Sequence, residues 1–98
     1  MILRSVYLVN NMTRFTAIDI ADYILQKHKD NNIAITPLKL MQLVYESYSW
    51  YLALTGNELF YEDIEAWTHG VVIQSIYREF TTKGISYNQN IPMKNNSK

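Results

Sequence analysis

Apolar residues return at helical spacing in three separate stretches of the chain. The first runs from Thr16 to about Lys29. Ala17, Ile20, Ala21, Ile24 and Leu25 share one face, while Asp19, Asp22, Gln26 and Lys29 fall mainly on others. Thr16 stands where a helix cap is needed, and Asp19 follows three residues later at the positive end of the dipole. "KHKDNN" closes the helix. Lys27, His28 and Lys29 complement its negative end, and Asn31 and Asn32 tolerate left-handed backbone. His28 reads as a solvated residue of that last turn.

The second stretch is "TPLKLMQLVYESYSWYLALTG", with Thr36 as N-cap, Pro37 at the first helical position and Gly56 as the C-terminal stop. Leu38, Met41, Tyr45, Tyr48 and Leu52 make one stripe. Leu40, Leu43, Trp50 and Leu54, with Ser47, make another. A helix apolar on two sides is surrounded, so this one is predicted to be the central buried helix. Its tyrosines and tryptophan need polar partners, which places several of them at the domain edge or a partner surface.

After Gly56 the helical period fails. "LFYE" and "DIEAW" suggest a short extended or β-hairpin-like segment around 58–68. Helical spacing returns in "VVIQSIYREFTTKG", through Val72, Ile76 and Phe80, with Gly84 as the stop. Gly70 is read as the bend that launches this helix, and Trp67 as the anchor that pins the preceding turn to the central helix. The fold class expected is therefore mainly α. Residues 13–84 form the domain. Residues 1–12 are either a short strand or an extension ahead of Met12, and the polar residues 85–98 form a mobile tail.

Composition narrows the function classes. Ninety-eight residues suit one small domain. Nine basic residues balance nine acidic ones, so no global field is present to hold nucleic acid or an anionic membrane. The absence of cysteine excludes disulfides, thiolate metal sites and a cysteine nucleophile. No convincing signal peptide or membrane-length apolar run is seen, and a soluble cytoplasmic protein is expected.

Candidate chemistry is sparse. His69, in "EAWTHG", is the obvious acid, base or ligand, but no second histidine or glutamate stands at a metal-binding interval from it. Ser47, Ser49 and Ser75 lack a nucleophile elbow. Glu62, Asp63 and Glu65 read as a solvated acidic turn. One glycine, Gly70, is a weak phosphate signal. The aromatic set Tyr45, Tyr48, Trp50, Tyr51, Phe60, Tyr61 and Trp67 has no basic interleaving. That favours core and protein-binding surface over base stacking. No catalytic, cofactor or metal residue is expected.

The ordered set Thr36, Pro37, Leu38, Lys39, Leu40, Leu43, Tyr45, Trp50, Tyr51, Gly56, Phe60, Glu65, Ala66, Trp67, His69, Gly70, Val72 and Tyr77 resembles the SocA-like antitoxin, or Panacea, domain family. That family includes phage-associated proteins of the GepA type. Ile18, Ala21 and Ile24 suit its first helix, and the resemblance covers about Thr13 to Gly84. Gln42 stands where the family usually has a second lysine, and Val71 where it usually has proline. Family domains continue with further helices, so the chain looks truncated at its C-terminal end.

The resemblance implies a non-enzymatic antitoxin that neutralises a partner toxin by direct contact, associated with phage or mobile elements. Recognition is expected from the surface between Tyr61 and His69 and the exposed side of the central helix. The residues are Lys39, Tyr48, Tyr51, Tyr61, Glu65, Trp67, His69, Tyr77 and Arg78. Apolar faces left uncovered by the missing helices imply self-association, as a symmetric dimer. The alternatives are a DNA-binding regulator of its own operon, a small enzyme using His69 with a carboxylate, and a decayed gene product.

Overall fold

Two side-chain caps set the frame of the molecule. The computed structural model describes residues 15–93, so the expected strand or extension over 1–12 and the end of the tail lie outside the described residues. Helix α1 spans Ala17–Asp30. Its cap is reciprocal: the Asp19 N–H donates to Thr16 Oγ1 at 3.2 Å, and the Thr16 N–H donates to Asp19 Oδ2 at 3.0 Å. The exit turn uses Asn32 at φ 55°. His28 departs from expectation. It is half-buried, and its Nδ1 lies 2.9 Å from the Ile24 carbonyl oxygen. A carbonyl only accepts, so Nδ1 carries the proton and donates.

Helix α2 spans Pro37–Thr55, with the Lys39 N–H donating to Thr36 Oγ1 at 3.1 Å and Gly56 closing it at φ 77°. Its buried residues are Pro37, Leu40, Met41 and Val44, all in the first two turns or so. Farther out, Tyr45 and Leu52 are exposed, Trp50 is 68% exposed and Leu54 76%. The two apolar stripes are thus enclosed only at their N-terminal ends. Length accounts for part of the difference. The 19-residue helix is about 28 Å long, whereas the helices packed on it, of 14 and 8 residues, span about 21 Å and about 12 Å.

A hairpin follows. β1, Glu65–Trp67, pairs antiparallel with β2, Gly70–Val72, in the register Glu65 to Val72, Ala66 to Val71 and Trp67 to Gly70. The extended segment expected around 58–68 is therefore displaced: residues 58–64 form no strand, and the hairpin reaches Val72. Val71 and Val72 belong to β2, and helix α3 begins only at Gln74 and ends at Thr81. Gly70 is a strand residue rather than a helix launch. It sits at φ 138°, and a Cβ placed on it would lie 2.8 Å from Leu38 Cδ1 of α2. Close approach and backbone angle both call for glycine here.

One cluster of buried side chains joins these elements. Ala17 and Ala21 of α1 meet Leu40, Met41 and Val44 of α2, Phe60 and Val72, and Ile73, Ile76 and Phe80 at α3. The small residues of α1 let that helix approach closely, and burial of each large member contributes about 1.5–3 kcal/mol. Residues 85–93, within the predicted polar tail, lie on this core as a strap. The Leu38 N–H donates to the Tyr87 carbonyl at 2.9 Å, the Ile91 N–H donates to the Ile35 carbonyl at 2.9 Å, and Ile91 is buried. The first of these bonds satisfies an N–H that the start of α2 leaves without a helical partner.

Candidate functional site

The hairpin, α3 and the strap bring four rings together. Tyr77 of α3 lies 5.2 Å from Trp67, Trp67 lies 5.6 Å edge-on from His69, and His69 stacks on Tyr87 at 4.0 Å, measured between centroids. Trp67 Nε1 donates to Glu65 Oε1 at 2.8 Å, so Glu65 orients the indole. These contacts tie the hairpin to α3 and to the strap. Trp67 is 37% exposed, with its ring against Tyr77 and His69, so the anchor onto α2 is Gly70 against Leu38 instead.

His69 sits in the two-residue turn between β1 and β2. Its Nε2 is buried and has no hydrogen-bond partner among the described residues. No group of three His, Cys, Asp or Glu side chains able to hold a metal occurs among the described residues. Among the described residues no carboxylate is hydrogen-bonded to the ring, whose contacts are the stack on Tyr87 and the edge of Trp67.

Glu62, read from sequence as part of a solvated turn, is half-buried and joins two helices. Its Oε2 accepts the Ala17 N–H at 2.9 Å and its Oε1 accepts the Ser75 hydroxyl. The first bond satisfies one of the unpaired N–H groups at the start of α1, at the favourable end of its dipole. Ser75 thereby belongs to a structural link.

A groove of about 430 Å³ opens beside this link, between α2 and the 58–64 loop. Tyr45 and Tyr48 line it from α2, and Glu58, Tyr61, Glu62, Asp63 and Ile64 line it from the loop. Tyr48 also lies 5.1 Å from Phe60, which roots that wall in the core.

The residues predicted for partner contact thus divide. Glu65, Trp67, His69 and Tyr77 form the ring cluster, and Tyr48 and Tyr61 line the groove. Lys39 is exposed on the first turn of α2, Tyr51 is half-buried farther along it, and Arg78 is exposed on α3; these three belong to neither group. Sequence reasoning missed Tyr87, Ile91 and the bridging role of Glu62. Ile85, Tyr87, Ile91 and Met93, spread through a polar stretch, were the available signal, and Ile85 and Met93 pack on the core beside Ile91.

Compared with protein-family models, curated proteins and solved structures, the chain matches none of them. Among the described residues, no helix is long and apolar enough to cross a membrane.

Proposed function

We propose that the chain is a cytoplasmic protein-binding module of the SocA-like antitoxin type, which neutralises a partner toxin by direct contact and carries no catalytic, cofactor or metal site. The observation that supports this reading is the outer half of α2. Its inner turns are fixed in the core, while Trp50 and Leu54 stand one turn apart in solvent. Such apolar side chains on a rigid helix suit an interface better than a free surface. In the bound state α2 becomes the enclosed central helix that its two stripes require.

The test is co-expression with the toxic product of a neighbouring gene. Growth should be restored by the chain and lost when Trp50→Asp and Leu54→Asp are combined. Rescue that survives both substitutions would remove α2 from the mechanism. The same face also suits a symmetric dimer of this chain, with Trp50 and Leu54 packing against their copies. Light scattering checks it: a monomer at all micromolar concentrations would rule the dimer out.

A further inference from the structure

The charges of this neutral chain are segregated. Between Leu40 and Tyr77 lie Glu46, Glu58, Glu62, Asp63 and Glu65, five of the nine acids, and none of the nine lysines and arginines. The fold gathers Glu58, Glu62 and Asp63 along one side of the groove and sets Tyr45, Tyr48 and Tyr61 around them. None of the residues that line the groove is basic. Tyr48, Glu58 and Tyr61 each engage a neighbour, and Glu62 is held by α1 and α3. The walls are therefore positioned by the fold, and Asp63 is exposed at the groove.

Tyrosine faces attract cations, and carboxylates bind guanidinium and ammonium groups through charged hydrogen bonds. The stripe through Tyr45 and Tyr48 continues to exposed Leu52, which supplies an apolar flank on the same side of α2. We infer that this groove receives an arginine or lysine from a basic, apolar-flanked segment of the partner protein. The inference rests on the protein-binding reading above and names the chemistry of the partner.

Charge decides among occupants. A second copy packed through the same groove would set acid against acid across the two-fold axis, because an isologous contact meets itself. Nucleic acid would be repelled from the same carboxylates. A basic protein segment gains from both walls.

The experiment is an NMR titration of the full-length, isotope-labelled chain with a short peptide of alternating arginine and leucine. A glutamate–leucine peptide of equal length is the comparison. The arginine peptide is expected to shift amides in the 45–64 region. Asp63→Lys and Tyr45→Ala should each weaken it about tenfold, and added salt should weaken it further. Both substitutions lie at exposed positions, and unchanged thermal melts confirm that the variants are folded. The inference is overturned by equal binding of the glutamate peptide, by shifts centred elsewhere, or by unchanged affinity in the double variant. It is equally overturned if self-association of the chain shifts the same amides without peptide. Failed toxin rescue with peptide binding intact strikes only the antitoxin reading. Rescue with no peptide binding strikes only this inference.

Discussion

Gly70 and Leu38 meet so closely that the hairpin has no room for a side chain at that point: a Cβ on Gly70 would lie 2.8 Å from Leu38 Cδ1. Gly70 also holds φ at 138°, where residues with a Cβ are strained. The Leu38 methyl can shift, so backbone strain is the larger cost. Gly70→Ala is expected to lower stability by about 2 kcal/mol. Gly56, at φ 77° with open space around it, is the comparison, and Gly56→Ala should cost about 1 kcal/mol. Urea midpoints of the two variants test the order; a Gly70 variant as stable as wild type would refute the backbone strain as well as the contact.

The bridge through Glu62 predicts coupling between distant helices. Glu62→Ala leaves the Ala17 N–H and the Ser75 hydroxyl unsatisfied and should cost about 2 kcal/mol, against about 1 kcal/mol for Ser75→Ala. In a double-mutant cycle the two losses should fall short of additivity. Strict additivity would mean that the residues do not share a bond.

His69 supplies a different kind of check. Its Nε2 is buried and has no partner among the described residues, yet its ring stacks on Tyr87. His69→Phe keeps a ring and removes the unsatisfied atom, so stability should be unchanged or raised by up to about 1 kcal/mol. His69→Ala loses the stack and should lower it by about 1–2 kcal/mol. A phenylalanine variant less stable than the alanine variant would show that the nitrogen has a partner.

The strap makes a prediction that is read by exchange. Ile91→Ala should destabilise by about 2 kcal/mol and speed hydrogen exchange at the Leu38 amide, whose acceptor is the Tyr87 carbonyl. Unaltered exchange at Leu38 would separate the two strap contacts from one another.

Helix ends are legible in this sequence because their signals are local. Thr16 with Asp19, Thr36 with Pro37, and Gly56 each specify a cap within four residues, and all three caps form. The apolar run at 71–73 is different. Three β-branched residues fit the first turn of a helix or the end of a strand, and pairing of Gly70 with Trp67 decides for the strand. Longer-range features leave still less trace. The strap's hydrogen bonds to Ile35 and Leu38 use backbone groups, which every residue has, and Glu62 reaches Ala17 across 45 positions. At the site, the ring residues Trp67, His69 and Tyr77 are visible in the sequence. Their fourth member, Tyr87, comes from a stretch whose polar composition conceals it.

The bond from the Leu38 N–H to the Tyr87 carbonyl has a consequence for synthesis. The start of α2 leaves the ribosome well before residue 87, so the nascent helix travels with that donor open and with Ile35 not yet joined to Ile91. Long-range closure of this kind comes late in folding. Until the strap arrives, the core beside Ile35 lacks the Ile91 side chain that covers it, so the nascent chain keeps apolar surface open at the start of α2.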